Sequence, residues 1–301
     1  MHDYVIVLIN GVGAPPLTPG CVHDLYYGLV PGVARARIIW LGAGKAAELH
    51  LRVDTPVLAE GIADAIATEL AASPVDSALL PAEGRRKRLL VADMESTMIA
   101  EECLDELAAA AGIGPQIAAI TARSMRGEID FDASLRQRVR LLAGMPLATL
   151  ETLRDRLTPL PGAATLVATM RARGAFTALV SGGFTLFTEP IAARLGFQAQ
   201  FANRLGIADG KLDGTVAEPV LGRAAKAERL AMLAREHGLS LAQTLAVGDG
   251  ANDVEMVETA GLGVAYRGKP LLAGVAAAAI RHADLTALLY LQGYRRDEFV
   301  E

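Results

Sequence analysis

The 301-residue chain is 52% hydrophobic and carries a formal charge of −5 from 29 basic and 34 acidic residues. No run approaches the ~18 consecutive apolar residues of a membrane span, and an acidic chain lacks the basic face of a general nucleic-acid binder, so neither a membrane nor a nucleic acid is expected as partner. The length accommodates two domains, and a small molecule is the favoured partner.

The opening Met1-His2-Asp3-Tyr4 has no basic-then-apolar leader pattern, so a cytoplasmic protein is expected. Residues 1–80 form the first predicted unit. Residues 4–8 are strand-like, 18–28 are ambiguous with helix as one reading, and 36–41 and 47–53 are strand-like. After Thr55-Pro56 a helix is predicted over 58–71, then a short strand over 77–80. That order, β-α-β-β-α-β, is the split βαβ of a ferredoxin-like fold. No catalytic constellation falls in it. Gly11-Val12-Gly13 precedes Ala14-Pro15-Pro16 and reads as a turn, not a dinucleotide fingerprint. The element order resembles small regulatory domains of the ACT type, which bind amino acids or mediate dimerisation, and that resemblance implies a homodimer. Residues 81–88, with Pro81, Gly84 and the run Arg85-Arg86-Lys87-Arg88, read as a solvated linker. Cys21 and Cys103 have no CxxC spacing and no Cys/His cluster around them, so both are expected to be buried thiols.

From Leu89 the pattern changes. Leu89-Leu90-Val91-Ala92 is an apolar strand that ends in Asp93-Met94-Glu95-Ser96-Thr97, and a helix is predicted over 98–111. Residues 113–157 are helical without strand signal, as expected of a cap inserted over the mouth of a sheet. Beyond Pro161-Gly162 come a helix over 163–173, a strand over 175–180 stopping at Ser181-Gly182-Gly183, and a helix over 186–195. A β-rich piece with turns at Asp209-Gly210 and Asp213-Gly214 follows, then a helix over 223–237. The strand over 244–247 ends at Gly248-Asp249-Gly250-Ala251-Asn252-Asp253, and 263–266 is the final predicted strand.

Three predicted strands thus end in polar sequence, and in a parallel sheet right-handed crossovers bring those ends to one edge. A carboxylate at a strand tip can attack phosphorus and split hydrolysis into two easier steps. A second acid can protonate the leaving alkoxide and then activate water. Asp249 and a carboxylate of the first motif are hard oxygen donors suited to Mg²⁺, which would relieve their repulsion. Ser181, the Gly182 N–H and one Lys can hold phosphoryl oxygens. Lys226, one of only five lysines in the chain, is the candidate.

These motifs together resemble the haloacid dehalogenase superfamily of phosphohydrolases over residues 89–290, and within it the phosphoserine phosphatases. The resemblance is carried by Asp93-Met94-Glu95-Ser96-Thr97, residues 129–139, Val180-Ser181-Gly182-Gly183-Phe184, Phe201-Ala202-Asn203-Arg204 and Val247-Gly248-Asp249-Gly250-Ala251-Asn252-Asp253. It implies an α/β fold: a Rossmannoid parallel sheet with a helical cap at about 113–157, spanning 89–301 and preceded by the small ACT-like α+β domain. It implies Mg²⁺-dependent hydrolysis of O-phospho-L-serine to L-serine and phosphate, the last step of serine biosynthesis. By the same resemblance Asp93 is the nucleophile and Glu95 the general acid/base. Asp93, Glu95 (through its carbonyl) and Asp249 hold the metal, with Asp253 behind them. Ser181, Gly182, Lys226 and Asn252 hold the phosphoryl group, Glu102 faces the ammonium, Arg138 faces the carboxylate, and Met125 and Phe131 close over the ligand. Glu95 departs from the pattern, which has Asp there. The extra methylene displaces the carboxyl by more than ~1 Å, a scale of misplacement that can cost roughly 10²-fold in rate. Two alternatives stand beside hydrolysis: phosphoryl transfer to a small alcohol such as homoserine, and an amino-acid-binding regulator in which Glu95 has abolished turnover.

Overall fold

The computed structural model describes residues 2–29 and 37–301, with the side chains of 26–29 and 125 outside the description. Ala36, the first residue of the second predicted strand, also lies outside it. The N-terminal unit runs β1 (His2–Asn10), α1 (Pro19–Leu29), β2 (Arg37–Gly42), β3 (Ala46–Val53), α2 (Pro56–Glu69) and β4 (Val75–Pro81). Its strands form an antiparallel sheet in the order β2-β3-β1-β4. Pro56 opens α2, where its fixed φ suits the first helical turn and its missing N–H costs nothing. Residues 5–9 of β1 are buried without interruption, and the two faces have different partners. Ile6 and Leu8 pack with Val22, Ile62 and Ile66 of the helices, whereas Val5, Val7 and Ile9 join the core of the C-terminal unit. Cys103 is buried as expected, but Cys21 is exposed. Helix α1 turns Val22 and Leu25 inward, and Cys21 falls on its outer side.

The connection at 82–88 is solvated only in part: Glu83, Gly84, Arg86 and Arg88 are exposed, but Arg85 and Lys87 are not. Arg85 is 12% exposed and pairs with Glu48 at 2.6 Å, and its second terminal nitrogen donates to the Leu291 carbonyl. Lys87 is buried, with Nζ donating to the Gly84 and Ala242 carbonyls at 2.8 Å. A charged run that bridges two packed units finds partners on both of them.

The C-terminal unit begins with β5 (Leu89–Ala92), followed by α3 (Cys103–Ala110), α4 (Gly114–Met125), α5 (Phe131–Leu141) and α6 (Leu147–Arg154). Then come α7 (Ala163–Ala172), β6 (Phe176–Phe184), α8 (Thr185–Leu195), β7 (Ala199–Asn203), β8 (Leu205–Ala208), β9 (Lys211–Val216) and α9 (Arg223–Glu236). The chain continues through β10 (Thr244–Gly248), α10 (Val254–Thr259), β11 (Leu262–Tyr266), α11 (Pro270–Ala273), β12 (Ala278–Ile280) and α12 (Ala287–Leu291). Six of these strands form a parallel sheet in the order β12-β11-β10-β5-β6-β7. All four residues of β5 are fully buried, because apolar layers cover both faces of a parallel sheet. Its neighbours are β10 and β6, so the three polar strand ends adjoin.

Five local differences separate the structure from the sequence reading. The helix predicted from 98 starts at Cys103. The Met94 carbonyl instead accepts N–H bonds from Thr97, Met98 and Ile99, and this closes a turn. The cap is bounded by a bridge between Ile99 and Pro159, so it includes α3, which packs on α4 and α6. Strand β6 continues beyond Val180 to Phe184 with a register shift. Strand β12 follows the predicted last strand; three residues are too few to show a period. In the β8–β9 hairpin the turn is Asp209-Gly210, both at positive φ, while Asp213-Gly214 lies inside β9.

Candidate active site

Asp93 emerges from the end of β5 and is 4% exposed. Its Oδ1 accepts the Met94 N–H at 2.8 Å and pairs with Lys226 Nζ at 2.7 Å. Lys226 projects from α9, is 1% exposed, and also donates to Asp253 Oδ1 at 2.6 Å. Asp253 in turn accepts the Asp249 and Gly250 N–H groups on its other oxygen, at 3.2 and 3.1 Å. Carboxylate oxygens of Asp93, Asp249 and Asp253 lie within 4.8 Å of one another. Burial and the Asp253 charge push the Asp93 pKa well up, against the pull of Lys226, and burial raises that of Asp249. Burial opposes the Lys226 charge, but Asp253 and Asp93 outweigh it and its pKa is raised. The buried Lys226 ammonium therefore pairs with Asp93 and Asp253, while Asp249 has only the exposed Lys269 ammonium near it, at 3.6 Å. The remaining negative charge and the all-oxygen donor set fit a hard divalent cation.

Glu95 turns away from that cluster. Its Oε1 accepts the Cys103 N–H at 2.8 Å, and its Oε2 packs so closely on Gly183 that a Cβ there would lie 3.0 Å away. Burial, then the nearby Glu102 charge, pushes its pKa up to about 7, with the Cys103 bond opposing. Such a carboxyl can both give and take a proton near neutrality. Ser181 is fully buried on β6, and its Oγ accepts the Gly183 N–H at 2.9 Å. Asn203 fixes this strand end by donating to the Gly182 carbonyl at 2.9 Å.

The cap supplies the other wall. Asp130 caps α5 through a 2.7 Å bond from the Ala133 N–H, which sets the register of Phe131, Ser134 and Arg138. The Phe131 ring reaches down onto the sheet domain, where a Cβ on Gly182 would meet it at 3.2 Å and one on Gly222 at 3.3 Å. Glu102 accepts a 2.7 Å hydrogen bond from Ser96 Oγ, and Ser96 holds a left-handed φ of 54°. Arg138 is half-buried, and burial lowers its pKa. A cavity of about 410 Å³ gathers Asp93, Glu95, Glu102, Arg138, Asp249 and Asn252, with Phe131 and Gly182 also on its wall. Ser181 and Lys226 are buried and do not line it. Met125 ends α4, and its side chain is outside the described residues. Sequence reasoning missed Lys269, which lines the cavity with Nζ 3.6 Å from Asp249 Oδ2. Its signal was a lysine shortly after β11, beside a helix-opening proline. A larger groove of about 800 Å³ runs beside β7 and α9, but it holds none of these carboxylates. Convergent charge, not volume, marks the site.

A strand end bearing a buried carboxylate, a bridging lysine and a capped cavity are joined by a sequence match. The haloacid dehalogenase-like hydrolase model matches residues 90–258. The chain belongs to the haloacid dehalogenase-like hydrolase family. Among family members, the phosphoserine phosphatase of Streptomyces coelicolor is 42% identical over 241 residues, covering 79% of this chain and 59% of that protein. The chain thus spans about three fifths of the length of such curated relatives. The phosphoserine phosphatase of Methanocaldococcus jannaschii is 40% identical over 205 residues, covering 68% of this chain and 97% of the relative. A crystal structure of a probable phosphoserine phosphatase from Vibrio cholerae superposes with a TM-score of 0.78 at 32% identity, covering 97% of this chain and 87% of that one. Within the family fold, then, the N-terminal unit as well as the sheet domain has a structural counterpart.

Proposed function

We propose that this hydrolase is a Mg²⁺-dependent phosphoserine phosphatase. One observation carries the reading. A single cavity has Asp93 and Asp249 at the sheet side, Asp93 backed by buried Lys226, and an anion and a cation, Glu102 and Arg138, at the cap side. A phosphate monoester with a zwitterionic end needs both. Arg138 suits the substrate carboxylate through its planar fork, Glu102 suits the ammonium, and Phe131 closes over the ligand.

In the proposed reaction an Asp93 carboxylate oxygen attacks phosphorus, the bond from phosphorus to the serine oxygen breaks, and Glu95 gives its proton to that oxygen. Glu95, now a carboxylate, takes a proton from water as the water oxygen attacks the aspartyl phosphate. Phosphate leaves and Asp93 is regenerated. Ser181, the Gly182 N–H and Lys226 hold the phosphoryl oxygens throughout, and Asn252 orders the substrate. Mg²⁺, with the Asp93 and Asp249 carboxylates and the Glu95 carbonyl as proposed ligands and Asp253 behind them, supplies positive charge that offsets repulsion between Asp93 and the phosphate. Support for Glu95 in place of Asp is its pKa of about 7 and its anchored position between Cys103 and Gly183. The ACT-like unit is proposed to sense an amino acid or mediate a homodimer.

Phosphate release from O-phospho-L-serine, with Mg²⁺ and with EDTA, tests the proposal against sugar and nucleotide monophosphates. Selective metal-dependent release is expected. Release from the other esters alone would keep the chemistry and discard the roles of Glu102 and Arg138. Homoserine added to the assay, with its phosphate ester measured, separates transfer from hydrolysis.

A further inference from the structure

Two side chains on one face of α5 keep donors that nothing among the described residues accepts from. Ser134 is 1% exposed, lines the active-site cavity, and its Oγ has no hydrogen-bond partner among the described residues. Arg138, one turn further along, spends its Nε on the Ser134 main-chain carbonyl at 3.3 Å. No carboxylate pairs with its guanidinium among the described residues, although it is half-buried; Asp105, Glu95 and Glu102 act on it only at longer range. Residues four apart lie on the same helix face, so the hydroxyl and the guanidinium border the same part of the cavity. Thr121 of α4 adds a second buried, unpaired hydroxyl to this wall. A buried hydroxyl without a partner is costly, and folded proteins rarely keep one without reason. A ligand acceptor supplies the reason.

We propose that Ser134 is a specificity-determining residue whose hydroxyl donates to the substrate carboxylate beside Arg138. This rests on the phosphoserine reading above. Arg138 provides the charge, and Ser134 fixes where one carboxylate oxygen sits. A phosphate ester of the same length without the carboxylate leaves both donors unmet, and a site with unpaired buried donors rejects such an analogue.

The test is Ser134→Ala assayed on O-phospho-L-serine and on O-phosphoethanolamine, which lacks the carboxylate. The kcat/KM ratio of the first ester to the second is expected to fall about tenfold to a hundredfold, the scale of one hydrogen bond to a charged group, through KM for phosphoserine. The Tm of the ligand-free protein is expected not to fall, because no native hydrogen bond is removed. The affinity of L-serine relative to ethanolamine gives a second readout that needs no turnover, and it is expected to fall with the ratio. An unchanged ratio, or equal loss on both esters with a lowered Tm, overturns the proposal. Wild-type protein inactive on O-phospho-L-serine would overturn the parent reading instead.

Discussion

Buried acids occur in two regions of this molecule, and they are treated in opposite ways. At the junction of the two units, Asp76 of β4 accepts N–H bonds from Arg281, His282 and Ala283 at 2.8 to 3.3 Å. Nearby, Glu48 of β3 accepts from Arg85 at 2.6 Å and contacts His50 at 2.9 Å. Each of those carboxylates has its own donors, and the result is a clamp between the units. At the end of β5, by contrast, Asp93, Asp249 and Asp253 crowd within 4.8 Å, with one buried lysine between Asp93 and Asp253 and an exposed one 3.6 Å from Asp249. Equal burial therefore does not imply equal role. A satisfied charge holds structure together, whereas an under-compensated one is held ready for a cation or a reacting phosphate.

That contrast can be broken most decisively at Asp93. Asp93→Asn is expected to lower phosphatase kcat by roughly 10⁴-fold or more while the circular-dichroism spectrum stays native; substantial residual metal-dependent turnover would end the nucleophile assignment. Lys226→Met should cost roughly 10²–10³-fold in kcat, and kinetics with phosphoserine would show it. Arg85→Ala sharpens the other side, since it leaves Glu48 buried with only His50 beside it. A loss of roughly 3 kcal/mol in denaturant unfolding is expected, with kcat/KM preserved. Matching losses of activity and stability would erase the distinction between clamp and site.

The smallest effect concerns Glu95. Its folded pKa of about 7 stands above the ordinary 4.5, so the folded protein holds this proton more tightly than the unfolded chain does. Its contribution to stability is fully present below about pH 4.5 and is lost as pH rises through 7. In EDTA, Glu95→Gln should therefore gain about 2 kcal/mol on wild type between pH 5 and pH 8. A flat difference in urea melts across that range would show that Glu95 is not a buried titrating acid.

The strand-end motifs were legible because each combines an apolar run, which reports a buried parallel strand, with polar residues that have no place inside one. Asp93, Ser181 and Asp249 stand out on that ground. Glu102 and Arg138 do not, since each sits among other charges of its own helix region, and only the family pattern singled them out. Ser134 lies in the stretch 129–139 that carries the resemblance, but no role attached to it: a serine on a polar helix becomes informative only when its hydroxyl is buried against a cavity without a partner. Lys87 and Arg85 were misread for the converse reason. A basic run reads as solvated unless the acceptors that bury it are known, and Glu48, Leu291 and Ala242 lie far away in sequence.

The sequence by itself determined the strands and second helix of the N-terminal unit and strands β5, β6, β10 and β11 of the C-terminal one, because side-chain periodicity and the Gly, Pro and Asp punctuation are local properties of the chain. It also determined which residue types end each strand of the sheet. Only the tertiary structure decided what covers the second face of β1, that α3 belongs to the cap, and that Glu95 turns to Cys103 while Asp253 joins the carboxylate cluster. Those outcomes depend on contacts between segments tens to hundreds of residues apart, and the local pattern carries no information about which distant surface will meet it.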